Sequence, residues 1–132
     1  MPSSLTHTFV HAPNLPTPVG PYSPAVGFER LIFVSGQGAV DPATGFLAGA
    51  DATAQTEQCL RNVRAILQAA GSDMQYVLRC GVFLTDMNEF QEMNAVYARV
   101  FGDNRPARTT VEVSKLPREG LKVEIDCVAY RP

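Results

Sequence analysis

Residues 51–84, DATAQTEQCLRNVRAILQAAGSDMQYVLRCGVFL, decide the fold class. Leu60, Val63, Leu67 and Ala70 recur at i, i+3, i+7 and i+10, joined by Cys59 and Ile66. Gln58, Arg61 and Gln68 lie off that stripe. The spacing predicts an amphipathic helix over 51–70, stopped by Gly71 at the position after its C-cap. The period then changes. Residues 76–84, YVLRCGVFL, read as a mostly apolar strand. A one-sided helix running into an apolar strand points to a helix lying on a sheet.

Working outward, Asp86-x-x-Glu89 resembles a capping box opening a second helix, with Phe90, Met93, Tyr97 and Phe101 as its stripe. Pro106 marks a break. Thr109, Val111 and Val113 then alternate with Arg108, Thr110 and Glu112, the pattern of a strand. In the last run Leu121, Val123, Ile125, Cys127 and Ala129 alternate with Lys122, Glu124 and Asp126. Upstream, the segment holding His7 and His11 alternates as a strand, and residues 25–35 read as two short strands turning at Glu29-Arg30. Seven of the ten prolines and six of the ten glycines fall in the first 50 residues, a region of turns and shaped loops. The order is β-β-β-α-β-α-β-β. It predicts one α+β domain over 1–132, a two-layer sandwich with both helices on one face of a mixed sheet. The opposite face is expected to carry Arg108, Thr110 and Glu124, either solvated or against another subunit.

Composition bounds the chemistry. The 132 residues suit one domain, and 45% apolar with 18% charged residues is globular. No run approaches the roughly 18 apolar residues of a membrane span, and MPSSLTHTFVHAP lacks the basic start and apolar core of a secretory signal. A net charge of −2 argues against a phosphate-gripping nucleic-acid binder. The three cysteines, Cys59, Cys80 and Cys127, are odd in number and sit in apolar runs, so reduced core thiols in a cytoplasmic protein are expected.

Several catalytic patterns are missing. The sequence has neither element of a zinc deaminase site. His7 and His11 are the only histidines, and on a strand that spacing separates their Cβ atoms by more than about 10 Å, so no metal and no Ser-His-Asp triad is expected. Ser35-Gly36-Gln37-Gly38 is neither a nucleophile elbow nor a dinucleotide fingerprint. What remains is Gly20-Pro21-Tyr22-Ser23, a rigid turn presenting an aromatic hydroxyl; Ser35-Gly36-Gln37 at a strand end; and Arg108, Glu124 and Asn94.

Those residues carry a resemblance. The sequence resembles the RidA/YjgF family of enamine/imine deaminases, also labelled L-PSP endoribonucleases. The shared elements include Gly20-Pro21-Tyr22-Ser23, Val34-Ser35-Gly36-Gln37, Val82-Phe83-Leu84-Thr85-Asp86-Met87, Asn94-x-x-Tyr97, Pro106-Ala107-Arg108, Leu116-Pro117 and Val123-Glu124-Ile125. They run in order from about residue 9 to 130. The resemblance implies a chorismate-mutase-like fold, a homotrimer with an active site at each subunit interface, and no metal or organic cofactor. It implies Arg108 as the holder of the substrate carboxylate and Glu124 as the residue that positions or activates water. It implies that Tyr22 lines the site, that Ser35 and Gly36 form the loop beside it, that Asn94 is a helix residue near it, and that Thr110 also contacts the substrate. Thr110 stands where many members have cysteine, Pro24 replaces a frequent glutamine, and Arg105 stands where an apolar residue is common.

Taken alone, Arg108 reads as a surface ion pair with Glu112, Glu124 as a partner of Lys122, Tyr22 as turn packing and Asn94 as a residue securing the second helix. With the resemblance, the expected function is hydrolysis of 2-aminoacrylate-type enamines and imines to 2-keto acids and ammonia. The small substrate would carry a carboxylate, and neither a membrane nor nucleic acid is an expected partner. Endoribonuclease or translation-inhibitor activity is one alternative. A non-catalytic ligand-binding or chaperone-like trimer is the other.

Overall fold

The computed structural model describes residues 6–132; residues 1–5, which open the N-terminal stretch read above, lie outside them. Six strands form one sheet: β1 Thr8–Val10, β2 Ala25–Phe28, β3 Leu31–Gly38, β4 Val77–Leu84, β5 Ala107–Glu112 and β6 Val123–Tyr130. Their spatial order is β1-β2-β3-β6-β4-β5. Only β4 and β5 run parallel. Helices α1, Ala52–Ala69, and α2, Phe90–Phe101, cover one face. This is the α+β arrangement and element order the sequence predicts.

Each helix forms for a local reason. Asp51 accepts the Ala54 amide at 2.7 Å and caps α1, and Gly71, at φ +85°, ends it. Leu60, Val63, Ile66 and Leu67 are buried against the sheet, each worth about 1.5–3 kcal/mol. Two expectations are corrected. Gln58, off the apolar stripe, is buried and donates to Asn62, whose own amide reaches the Gly38 and Val40 carbonyls. Asp86 caps a 3-10 turn, Met87–Glu89, that precedes α2, and Glu89 turns to Lys122 at 3.0 Å instead of back to the cap.

The core face of β6 is as read: Val123, Ile125, Cys127 and Ala129 are buried, together with Val82 and Leu84 of β4. The placing of Arg108 is not. Arg108 stands opposite Cys80, and Cys80 opposite Cys127, so Arg108 shares the helix-covered face; Thr110, two residues on, shares it too. Glu124 stands opposite Phe83, and Phe83 opposite Val111, on the other face. Register therefore separates Arg108 and Glu124, which the sequence placed together. The strand spacing leaves about 14 Å between their Cα atoms, with the sheet between their side chains. The physical reason is that β5 is an edge strand with every residue exposed or half-buried, so its polar alternation carries no information about which face is covered.

Candidate functional site

The Glu124 side of the sheet is built around a bulge. Between Val34 and Gln37 the β3–β6 pairing shifts register, and Gly36 lies there beneath Glu124. A Cβ on residue 36 would meet Glu124 Oε2 at 2.6 Å. The bulge is pinned from outside, because the Ser35 amide and hydroxyl both donate to the 23–24 turn, to Pro24 O at 2.9 Å and Ser23 O at 2.7 Å. Tyr22 leaves the Gly20-Pro21 turn half-exposed, its hydroxyl accepting the Val19 amide at 3.3 Å. A cavity of about 440 Å³ opens here, lined among others by Pro16, Val19, Tyr22, Gly36, Arg118 and Glu124. Ser35 supports it and does not line it.

Glu124 has no ion-pair partner among the described residues; Lys122 pairs with Glu89. Burial first, and the nearby Asp126 carboxylate second, raise the Glu124 pKa from its ordinary value. Asp126 is itself fixed by the Gly81 amide, which donates to it at 2.8 Å.

Arg108 is posed separately. Its Nη1 donates to Asn94 Oδ1 at 2.8 Å, and its guanidinium carbon stands 4.7 Å from the Tyr97 ring centroid and 5.6 Å from that of Phe90. Asn94 thus secures α2 through the arginine. Glu112, the alternative partner, instead accepts the Met87 amide at 2.8 Å. No carboxylate lies within 4 Å of Arg108 among the described residues. On this side the buried Thr110 Oγ1 has no hydrogen-bond partner among the described residues, and the buried Tyr97 hydroxyl faces only the Cys80 thiol, a weak partner; a bound polar group would satisfy both better. A half-buried, planar, unneutralised guanidinium is suited to a carboxylate.

The three cysteines are free and buried, and burial raises each thiol's pKa. Both histidines are exposed. No group of metal-ligating side chains occurs among the described residues, and none of their helices is long and apolar enough to cross a membrane.

A family model described as Endoribonuclease L-PSP matches residues 12–131. The chain belongs to the RidA/YjgF family. A RutC family protein of Pyrococcus horikoshii is 47% identical over 89% of this chain and 93% of its own. The 2-iminobutanoate/2-iminopropanoate deaminase of mouse is 39% identical, covering 98% and 95% respectively. Among solved structures, a putative endoribonuclease of Thermotoga maritima superposes with a TM-score of 0.90 at 43% identity, covering 95% of this chain and 98% of that one. The YjgF gene product of E. coli superposes at 0.89 with 38% identity, covering 95% and 99%.

Of the residues expected in the RidA/YjgF site, Tyr22, Gly36 and Glu124 gather at one cavity, with Ser35 behind it. Arg108, Asn94 and Thr110 lie on the helix-covered side. Sequence reading missed Tyr97 and Phe90 as the platform of Arg108, although they share the α2 stripe and Asn94 lies between them. It also missed Arg118, for which no spacing signal exists.

Proposed function

We propose that this RidA/YjgF chain is an enamine/imine deaminase acting on small 2-imino acids, with each active site completed by two copies of the chain. One observation carries this reading: the anion holder Arg108 and the Glu124 cavity lie on opposite faces of the sheet, and each lacks a counter-charge. A neighbouring copy can supply the missing half. The sheet face away from the helices favours such packing, since Phe9, Val26, Phe33 and Val128 stand opposite one another across four strands there, and Phe9 and Phe33 are 57% and 46% exposed. A homotrimer satisfies this pairing once per interface.

In this mechanism the substrate carboxylate docks on Arg108. The enamine gains a proton at its β-carbon and loses one from nitrogen, giving the imine. Water held at Glu124 adds to the imine carbon, forming a C–O bond, and the C–N bond then breaks to release ammonia and the 2-keto acid. A carboxyl group with a raised pKa suits both taking the proton from water and returning it to the leaving nitrogen. The electrophile is already reactive, so positioning supplies most of what is needed.

The test is complementation. Arg108→Ala and Glu124→Gln proteins are each assayed alone, then unfolded together, refolded as mixed oligomers and assayed again with enamine generated by a dehydratase. Each variant alone should be nearly inactive. The mixture should regain activity, because an interface between the two variants restores one intact site. Mixtures as inactive as their components would show that no interface pairs Arg108 of one copy with Glu124 of another, and would overturn the intersubunit reading. The same preparations incubated with a fluorescent RNA test the endoribonuclease name.

A further inference from the structure

The cavity that holds Glu124 also holds a cation that the deaminase reading leaves unused. Arg118 lines the same space of about 440 Å³. Its Nη1 donates to the Gly45 carbonyl at 3.0 Å, the one hydrogen bond of its guanidinium among the described residues. That carbonyl belongs to a stiff turn: the Gly45 amide donates to Asp41 O at 2.8 Å, the Ala43 amide to Asp41 Oδ1 at 2.9 Å, and the Phe46 amide to Thr44 Oγ1 at 3.1 Å. The guanidinium is therefore oriented by one corner, and its other N–H donors remain open.

It is also not neutralised. No carboxylate lies within 4 Å of Arg118 among the described residues, and Glu124, which shares the cavity, makes no ion pair with it. Glu124 instead lies over Gly36. The surrounding walls are largely apolar, with Pro16, Pro18 and Pro117 among them. The volume falls within the roughly 300–1,000 Å³ typical of sites for drug-sized ligands, more than a three- or four-carbon imino acid fills.

We infer that Arg118 is a second anion anchor in this cavity, and that the favoured substrates are imines of dicarboxylic amino acids. The distal carboxylate takes Arg118 while the reacting carbon sits at Glu124. The inference rests on the deaminase reading and adds a substrate class to it. Water addition and ammonia release are unchanged.

The experiment uses two ligands of the same five-carbon chain, differing only in the terminal carboxylate: 2-oxoglutarate and 2-oxopentanoate, titrated calorimetrically as product mimics. The matching imines, made in situ from glutamate and norvaline by amino-acid oxidases, are followed by competition with semicarbazide. Wild type should bind 2-oxoglutarate about tenfold or more tighter than 2-oxopentanoate, the scale of one charge-assisted pair. Arg118→Met, which keeps length and removes charge, should lower 2-oxoglutarate affinity about tenfold more than it lowers 2-oxopentanoate affinity. Arg118→Lys should retain part of the difference. If wild type does not distinguish the two ligands, or Arg118→Met weakens both alike, Arg118 only braces the turn and the inference is overturned. Continued hydrolysis of the 2-oxopentanoate imine would then leave the deaminase reading standing. If neither imine is hydrolysed and neither oxo acid binds, both fall together.

Discussion

Gly36 and Glu124 compete for one place. A Cβ on residue 36 would stand 2.6 Å from Glu124 Oε2 and 2.9 Å from its carboxyl carbon, so the carboxylate occupies the space a side chain would fill. Glycine is required there for room. The obstructing atoms are the end of a flexible side chain, so Gly36→Ala should leave the sheet intact and displace the carboxylate. Enamine turnover should fall about tenfold or more, as expected when a proton-transfer group is misplaced, with the melting temperature close to wild type. Unchanged turnover in a normally melting variant would show that the position of Glu124 does not govern the reaction.

Arg108 and Asn94 should separate holding a carboxylate from orienting its holder. Arg108→Ala removes the charge-assisted pair and should lower kcat/KM by about 30- to 1,000-fold, or roughly 2–4 kcal/mol. Arg108→Lys should recover only part, since an ammonium lacks the planar fork. Asn94→Ala removes the 2.8 Å acceptor but leaves the Tyr97 ring under the guanidinium. Its loss should be smaller and should appear mainly in KM. Steady-state kinetics decide, and an Asn94→Ala defect as large as that of Arg108→Ala would make the stacking irrelevant.

Glu124 also predicts a pH dependence of stability. Burial, and then Asp126, raise its pKa in the folded protein, whereas the unfolded chain titrates at the ordinary carboxylate value. Between those two values the native state binds more protons than the unfolded state. Stability therefore falls as pH rises through that window, and the deficit persists above it. Glu124→Gln has no proton to lose. At neutral pH it should be more stable than wild type, and the gain should vanish as pH falls below the ordinary carboxylate range. Urea denaturation at fixed protein concentration across a pH series measures this. A difference between the two proteins that does not vary with pH would contradict it.

The helices and the core face of β6 are legible in the sequence because burial there is one-sided and apolar. Leu60, Val63 and Leu67 keep a helical period, Val123, Ile125 and Cys127 keep a period of two, and all six are buried. Arg108 defeats the same method, since an edge strand packed weakly on both sides alternates without recording which side is covered. The family resemblance indicates Tyr22, Gly36 and Glu124 through local motifs. That Glu124 and Arg108 lie on opposite faces is a property of register across β6, β4 and β5, set by segments distant in sequence. The polar residues of α1 are the other failure. Gln58 lies off the apolar stripe, yet it is buried with Gln55 and Asn62, for which periodicity gives no signal, because their amides serve one another and carbonyls of neighbouring segments.

Gln55 is the most consequential of these. It is fully buried, its Nε2 donates to Gly49 O at 3.1 Å and Gly120 O at 2.9 Å, and its Oε1 accepts the Lys122 amide at 2.7 Å. One side chain thus ties the approach to α1 to the segment that leads into β6 and Glu124. Gln55→Leu preserves approximate volume but strands two carbonyls and an amide in the interior. At about 1–3 kcal/mol for each unsatisfied group, less whatever water recovers, it should destabilise the fold by about 3 kcal/mol or more. Gln55→Glu is the more discriminating variant. An ionised carboxylate can still accept from Lys122 but faces the Gly49 and Gly120 carbonyls with no proton to donate, while a protonated one can donate to one of them. The folded state should therefore raise the pKa of residue 55. The deficit of Gln55→Glu against wild type should be largest at neutral pH and shrink as pH falls into the ordinary carboxylate range. Urea denaturation of all three proteins at neutral and acid pH makes the comparison. Gln55→Leu as stable as wild type would mean that water satisfies these groups fully, and a pH-independent Gln55→Glu deficit would mean that volume, not hydrogen bonding, sets the requirement at residue 55.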